Sequence, residues 1–339
     1  MADPTNVAWP FQILRSVDDV RRWVDSDPEG RSIGFVPTMG CLHDGHLQLV
    51  RHSLSATTRT IVSIFINPTQ FGPSEDLDSY PSTLQADLTA LAQLAITPHS
   101  LEIPTVFDGT GSVEHTHQPA SPTQPAHTVS AVFLPTKEVI YPSGTETGTV
   151  VDVRALADVL EGARRPGFFR GVATVVLKLF MIVEPRVAFF GQKDLHQALL
   201  LRRLASDLHL RRPRALIIIP TIRDQPLAMS SRNTYLSSLE CEQAGCLFTG
   251  LSAAAQHIRQ STERTTFEEL AQIVKQHVRE PIVLDFFSLN DPETFENLDS
   301  VAPHQPVALS GAILVGSRPV RLLDNLVLGY NLNHGVPPF

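Results

Sequence analysis

Two histidines three residues apart follow a short apolar run near the start of the chain. His43 and His46 belong to the segment PTMGCLHDGH, which begins where the apolar run 32–37 ends. Ligands of open α/β sheets bind at the carboxyl ends of strands, and Gly40 and Gly45 would let the backbone approach a ligand closely. A helix that begins near Gly45 or His46 would also direct its free amides there. The segment therefore predicts a phosphate site in which imidazole N–H groups stabilise developing charge, although two histidines at this spacing can also simply cap a helix.

Two further segments carry groups that could hold a nucleotide. Ser230, Ser231 and Arg232 supply two hydroxyls and a guanidinium, which can grip terminal phosphates. Lys193 and Asp194 follow the end of another apolar run, where a cation and an acid would face a bound nucleotide. Each segment is a weak signal in isolation, because the first could be an ordinary polar turn and the second a helix start with Asp194 as its N-cap.

Near-continuous apolar runs alternate with segments of helical period, and these elements must position the polar groups. Strands are predicted over 32–37, 60–67, 187–191 and 215–220, a helix over 194–208, and another helix with Leu84, Leu88, Leu91 and Ala95 on one face and Ser82 as N-cap. Apolar strands separated by helices indicate a parallel sheet covered on both faces. The predicted fold class is therefore α/β, with a Rossmann-like, doubly wound parallel sheet.

The composition changes after residue 220. Helices are predicted over 238–258 and 266–279, followed by strands near 282–289 and 307–315, which is typical of a smaller α+β domain. We therefore divide the chain into a first domain, 1–220, and a second, 221–339.

Residues 97–130 interrupt the first domain with a stretch rich in Pro, Thr, Ser and His. We predict an irregular surface insertion there. Its histidines His115, His117 and His127 could be interpreted as metal ligands, but they lack regular ligand spacing, so a solvated loop is favoured.

Composition excludes several classes of protein. The 339 residues carry a net charge of −8, which disfavours general nucleic-acid binding because that depends on a basic surface. No apolar run is long enough for a membrane span, and the first residues show no secretory signal. Three cysteines form a sparse set typical of a reducing compartment, and we expect Cys241 and Cys246 to be buried thiols. A cytoplasmic enzyme is the resulting expectation.

Nine segments occur in one order along residues 32–325. They are PTMGCLHDGH (37–46), VSIFINPTQF (62–71), DLDSYPSTLQADL (76–88), IYPSGTET (140–147), LEGARRPGFFRGV (160–172), KLF (178–180), FFGQKD (189–194), LAMSSRN (227–233) and RLLDN (321–325). Together they resemble the pantothenate synthetase (pantoate–β-alanine ligase) family, which belongs to the nucleotidyltransferase superfamily with the HxxH signature. The resemblance implies a Rossmann-like domain that holds the active site and a smaller C-terminal lid domain.

The resemblance also implies roles for individual residues. It assigns ATP binding to Met39, Gly40, His43, Gly45, His46, Gly191, Lys193, Asp194, Ile222, Met229, Ser230, Ser231 and Arg232. His46 would be the proton donor. Gln70 and Gln197 would hold pantoate, with Asn67 as a weaker candidate, since amides can both donate to a carboxylate and accept from hydroxyls. No residues are assigned to Mg²⁺.

The implied reaction joins pantoate to β-alanine with ATP and Mg²⁺, through a pantoyl adenylate, and releases pyrophosphate and AMP. The resemblance further implies a homodimer. Two other interpretations stay open at this point. The chain could be another small-molecule nucleotidyltransferase, or a catalytically inactive relative that serves as a scaffold protein. The chain departs from the family at Phe168, where a histidine is usual, in a shortened segment 223–227, and in the insertion at 97–130.

Overall fold

Strands and helices alternate along the first part of the chain, as its apolar runs predict. The computed structural model describes residues 8–26, 32–73, 75–104, 125–157 and 159–335. The strands are β1 (Gln12–Leu14), β2 (Ile33–Thr38), β3 (Arg59–Ile64), β4 (Ala95–Ile96), β5 (His127–Thr128), β6 (Ala131–Phe133), β7 (Val187–Gly191), β8 (Ala215–Ile219), β9 (Arg223–Asp224), β10 (Leu227–Ala228), β11 (Thr265–Thr266), β12 (Val283–Asn290), β13 (Ser300–Val301), β14 (Val307–Val315) and β15 (Val320–Leu328). The helices are α1 (Val17–Asp25), α2 (Asp44–Ala56), α3 (Leu84–Ala92), α4 (Lys137–Ile140), α5 (Arg154–Ala157), α6 (Glu161–Arg164), α7 (Phe168–Val183), α8 (Leu195–Asp207), α9 (Ser238–Ala244), α10 (Cys246–Gln260) and α11 (Phe267–His277). Within these ranges, no helix combines the length and apolarity that crossing a bilayer requires.

A six-stranded parallel sheet, in the order β1-β6-β3-β2-β7-β8, forms the centre of the first part of the chain. Successive side chains of a strand point to opposite faces. Phe35 thus packs with α1, α7 and α8 on one face, whereas Val36 packs with α2 and α3 on the other. Both side chains are fully buried, because helices cover both faces of the sheet. The predicted doubly wound α/β fold is confirmed.

The C-terminal part has its own core around an antiparallel sheet, β12-β14-β15. Leu251 of α10 and Val274 of α11 are fully buried against this sheet, and they belong to a hydrophobic cluster separate from those of the parallel sheet. The chain then returns to the first core. There Asn333 donates to the carbonyl oxygens of Ile218 and Pro104, both at 2.9 Å. The segment that follows the smaller α+β unit thus binds to β8, the strand at one edge of the parallel sheet.

Several predicted element bounds are wrong. Helix α3 has Thr83, not Ser82, as its N-cap, and it ends at Ala92, so that Ala95 lies in strand β4. The strand predicted over 60–67 ends at Ile64, since the chain turns at Asn67 into the 3₁₀ turn Pro68–Gln70. The helix predicted over 238–258 is two helices, α9 and α10, which meet at Gly245.

The predicted irregular insertion is ordered at its end. Strand β5 pairs with β4, and the His127 ring is 2.9 Å from the carbonyl oxygen of Leu54. Val129 is buried in the core beside α2 and α3. The prediction of irregular chain is therefore wrong for 127–129. His115 and His117 lie outside the described residues, which contain no cluster of three or more His, Cys, Asp or Glu side chains able to hold a metal ion.

The burial of the cysteine side chains differs from the expectation. Cys41 is buried, but Cys241 and Cys246 are only partly buried. Cys241 lies on α9, a short helix whose side chains are mostly in contact with solvent. The expectation of two buried thiols on this segment is therefore wrong.

Candidate active site

A cavity of about 1290 Å³ opens at the carboxyl ends of the central strands. The chain runs outward from β2 to β3 and β6 and then returns to β7, so the order of strands switches between β2 and β7. Ligands of doubly wound sheets bind at this switch point. Residues of β14 and β15, among them Leu314 and Asn325, line the opposite wall. The cavity is larger than the ~300–1,000 Å³ usual for one small ligand, which leaves room for a nucleotide and a second substrate.

The site residues named from the sequence converge on this cavity, with one exception. Those that line it are Met39, His43, Gly45, His46, Asn67, Gln70, Gly191, Lys193, Asp194, Gln197, Ile222, Met229, Ser230, Ser231 and Arg232. Gly40 is the exception. Its φ is +83°, and an added Cβ would come within 3.1 Å of an Asp87 oxygen. The structure gives Gly40 a conformational role, and its contact with ATP stays a prediction.

A buried carboxylate shapes the loop between β2 and α2. The backbone N–H groups of Cys41 and Leu42 donate to the two oxygens of Asp87, both at 2.9 Å. Thr83 donates to the same carboxylate at 2.9 Å, and Asp87 is only 2% exposed. Gly40 and Cys41 both have positive φ, so the chain turns sharply here, and glycine adopts such a conformation without steric cost. Asp87 therefore fixes the loop that leads into His43.

The two histidines stack at the start of α2. The helix begins at Asp44 with His43 as N-cap, slightly earlier than the sequence predicts. The ring centroids of His43 and His46 are 4.0 Å apart, and the His43 backbone N–H donates to His46 Nδ1 at 3.4 Å. Because Nδ1 accepts, the proton of neutral His46 resides on Nε2. At Gly45 an added Cβ would lie 2.9 Å from the His43 ring, so a glycine is needed here to seat that ring.

Both imidazoles are neutral near pH 7. Burial, assisted by the charge of Lys193, lowers the pKa of His43 to about 4. Burial also lowers the pKa of His46 well below its ordinary value, and His43 and Lys193 add to the effect. A neutral imidazole still donates one N–H but contributes no charge. Lys193 and Arg232 therefore supply the positive charge in this part of the cavity.

The loop after β7 is anchored by the C-terminal sheet. Asn325 of β15 donates to the carbonyl oxygens of Gln192, at 2.8 Å, and Lys193, at 3.0 Å. Its own oxygen accepts from Gln192 Nε2 at 3.1 Å. Lys193 also lies 3.2 Å from an Asp194 oxygen. These bonds hold the main chain of the lysine against the cavity.

The segment at 229–233 closes over the loop that carries the histidines. Ser231 donates to the Cys41 carbonyl oxygen at 3.0 Å. The Arg232 guanidinium makes a two-pronged pair with Asp76, at 3.1 and 2.8 Å, and Tyr235 donates to the same carboxylate at 3.2 Å. The arginine is thus presented at the cavity with a carboxylate already in contact with it.

The amide of Gln70 is oriented by its neighbours. Asn67 donates to Gln70 Oε1 at 3.1 Å, which leaves the Gln70 amino group 3.2 Å from the Met39 sulfur. Asn67 itself is 1% exposed, and its oxygen accepts from Tyr141 at 2.7 Å and Thr69 at 3.0 Å. The geometry makes Asn67 a support for Gln70 rather than a group with free capacity for a ligand.

Sequence reasoning missed three residues that build this site. Asp76 and Asp87 both lie in the quoted segment DLDSYPSTLQADL, and Asn325 lies in RLLDN. Their presence in those segments was the available signal. No local pattern tells which residue each of them contacts, since the partners are far away in sequence.

The parallel sheet and its cavity define a class: a Rossmann-like α/β enzyme with a cavity at the strand switch point. The model of the Pantoate-beta-alanine ligase family matches residues 12–327. A pantothenate synthetase from Pelotomaculum thermopropionicum is 38% identical over 321 residues, 94% of this chain and 99% of that protein. One from Shewanella sp. (strain ANA-3) is 39% identical over 314 residues, 91% and 96% of the two chains.

Solved structures give the same result. The crystal structure of pantothenate synthetase from Thermus thermophilus has a TM-score of 0.74 and 33% identity, with 94% of this chain and 100% of that chain covered. The pantoate–β-alanine ligase from Francisella tularensis, complexed with beta-gamma ATP and β-alanine, has a TM-score of 0.66 and 29% identity, with 94% and 97% covered. The chain belongs to the pantoate–β-alanine ligase family.

Proposed function

We propose that this chain joins pantoate to β-alanine in a reaction driven by ATP, through a pantoyl adenylate, with AMP and pyrophosphate as the other products. The observation that carries the proposal is one cavity lined by both histidines, Lys193, Arg232 and the two glutamines predicted for pantoate. Family membership supports the choice of substrates, and the cavity supports it further because imidazole and cationic side chains line it together with two amides.

In the first step a pantoate carboxylate oxygen attacks the α-phosphorus of ATP. The new O–P bond forms as the bond from the α-phosphorus to the bridging oxygen breaks, and pyrophosphate leaves with that oxygen. The protein's part is positioning and charge neutralisation. Lys193 and Arg232 would neutralise the departing phosphates, and His46 would donate its Nε2–H to them. His46 would act as donor in its neutral form, through Nε2–H, because its Nδ1 accepts from the His43 backbone N–H.

In the second step the β-alanine amine, having lost one proton to solvent, attacks the carbonyl carbon of the adenylate. The C–N bond forms, the nitrogen gives its second proton to solvent, the bond from the carbonyl carbon to the phosphate oxygen breaks, and AMP leaves with an oxygen that began in pantoate. Gln70 and Gln197 would hold the pantoyl group in both steps. No covalent bond to the protein is required.

We propose that Mg²⁺ accompanies ATP; Asp194 would then supply a protein oxygen to it, and the ion would neutralise charge on the phosphates. The donor set fits this arrangement. The described residues contain no cluster of carboxylates that could cage the ion alone, but Asp194 lines the cavity with 46% of its side chain exposed. Mg²⁺ commonly binds through one or two carboxylates together with substrate phosphates and water.

Isotope transfer tests the adenylate. Pantoate labelled with ¹⁸O in its carboxylate should pass one label to AMP, and AMP, pyrophosphate and pantothenate should form in equal amounts. The control is a reaction without β-alanine, in which free pantothenate is not formed. Unlabelled AMP, or ADP with phosphate as the products, contradicts the proposed mechanism.

We also propose a cytoplasmic homodimer, which rests on the family resemblance and on the sparse cysteines. Light scattering at micromolar concentration should give twice the chain mass of 37.2 kDa. A single-chain mass contradicts the dimer, and a fluorescent fusion found in another compartment contradicts the location.

A further inference from the structure

The turn that carries Gln70 lies directly on the first turn of α7. At Gly171 an added Cβ would come within 2.3 Å of the Thr69 carbonyl oxygen and 2.8 Å of the Gln70 nitrogen. The Asn67 amide also donates to the Gly171 carbonyl oxygen at 3.3 Å. Backbone meets backbone here, so a displacement of the start of α7 would displace Gln70.

Arg165, just before α7, holds the same turn from its other side. Its guanidinium donates to the Gln70 carbonyl oxygen at 3.2 Å and makes a two-pronged pair with Glu75, at 2.7 and 2.6 Å. The side chain is 13% exposed, and Glu161 is a second carboxylate 3.6 Å away. Burial raises the pKa of Glu75, but the hydrogen bonds and charge of Arg165, together with a Gly72 amide bond and the charge of Arg232, outweigh burial and lower the pKa overall. One guanidinium therefore ties Gln70 to Glu75.

Phe168 supports this guanidinium from beneath. The Arg165 carbon at the centre of the guanidinium lies 3.7 Å from the centroid of the Phe168 ring, within the range of a cation–π contact. Phe168 packs in turn on Phe169, whose ring is 4.9 Å away and buried. The phenyl ring that stands in place of the family's usual histidine thus provides an uncharged platform for the arginine.

We propose that Arg165, supported by Phe168, is a positioning residue that fixes the Gln70 turn and thereby sets the affinity for pantoate. The inference rests on the proposed function, because pantoate is the proposed ligand of Gln70. Arg165 acts through Gln70, so its loss affects pantoate binding more than it affects turnover at saturation or the binding of ATP.

Arg165→Lys tests this directly. Lysine keeps the charge but cannot pair with Glu75 in two-pronged fashion while it donates to Gln70. At saturating ATP and β-alanine, we expect the pantoate KM to rise about tenfold or more, with kcat and the ATP KM within about twofold of wild type. Calorimetric titration of pantoate in the presence of β,γ-methylene ATP should show the same loss of affinity without turnover.

Arg164→Lys is the matched control. Arg164 is the preceding residue, pairs with Asp285 at 3.3 Å and lies 4.8 Å over the ring of Phe286, but its bonds lead away from the Gln70 turn. We expect its pantoate KM to stay within about twofold of wild type.

Two substitutions of the platform keep the inference testable if Arg165→Lys fails to fold. Phe168→Tyr retains an aromatic face and should keep the wild-type pantoate KM. Phe168→Leu removes the face and should raise that KM at least about threefold with kcat retained.

Three results would overturn the inference. They are an unchanged pantoate KM in Arg165→Lys, a fall in kcat alone, and an equal effect of Phe168→Tyr and Phe168→Leu. A wild-type protein that binds ATP but not pantoate would instead overturn the proposed function, so the two failures are distinguishable.

Discussion

Asn325→Asp should weaken ATP binding and lower stability, although Asn325 lies on β15, in the opposite wall of the cavity. The replacement has the same shape, but a carboxylate cannot donate to the carbonyl oxygens of Gln192 and Lys193, which Asn325 now serves at 2.8 and 3.0 Å. Asn325 is 3% exposed, so water cannot readily replace the lost donors. Leaving a buried acceptor unpaired costs about 1–3 kcal/mol, so the two together should cost about 3 kcal/mol of unfolding free energy. Without these bonds the main chain of Lys193 can shift, and the ATP KM should rise about tenfold because a small displacement of a positioning group weakens its interaction with the substrate strongly.

Asn333→Asp provides the comparison. Asn333 also donates to two carbonyl oxygens, both at 2.9 Å, and is 6% exposed, but it joins the end of the chain to β8 away from the cavity lining. Arg202 already donates to its oxygen at 3.1 Å and would partly balance the new charge. Urea unfolding should therefore show an equal or smaller loss of stability, and steady-state kinetics should show an unchanged ATP KM. Equal ATP KM values in the two variants would refute the anchoring role of Asn325.

Three further outcomes follow from the same geometry. His46→Ala should fold normally but slow adenylation by about 10²- to 10³-fold, the usual loss for one preorganised donor, and a folded variant with wild-type single-turnover rates would refute the role. Burial lowers the pKa of His196 to about 4 from its ordinary value of 6.5. As the pH falls below 6.5, His196 is therefore protonated in the unfolded chain before it is protonated in the folded protein. The unfolding free energy should therefore drop by about 2 kcal/mol between pH 7 and pH 5 through this residue alone, and denaturant titrations of His196→Gln should show a correspondingly shallower pH dependence. Replacing 110–124 with a short Gly/Ser linker should leave the pantoate KM unchanged, whereas extending the deletion through Val129 should destabilise the protein, because Val129 is 1% exposed; a more than tenfold rise in KM for the shorter deletion would show that the insertion serves the site.

The fold was predictable because its signals are local. Phe35 and Val36 are neighbours buried on opposite faces, and only a strand covered on both sides tolerates such a continuous apolar run. The place of His43 and His46, just beyond that strand, followed from the same run. Errors concentrated at element ends, as at Ser82 and Thr83, where neighbouring residues are chemically similar and hydrogen bonds decide the boundary.

The supporting polar groups were not predictable, because their partners are distant in sequence. Asp87 binds amides 46 and 45 residues away, and Asn325 binds Gln192 across 133 residues. Composition and periodicity describe which residues are buried, but they do not determine which buried donor meets which acceptor. Motif resemblance located the segments that contain these residues, and only the three-dimensional structure assigned their contacts.

The late position of Asn325 has a consequence for how the protein is made. Every strand of the parallel sheet has been synthesised once the ribosome passes Ile219, so this sheet can assemble while the remainder is still being translated. The loop with Lys193 stays without its anchor until β15 leaves the ribosome. At ~5–20 residues per second, that interval lasts roughly 5 to 20 s. A nascent chain can therefore hold an assembled sheet several seconds before the loop with Lys193 gains its anchor, so the site is completed only when the C-terminal sheet folds against it.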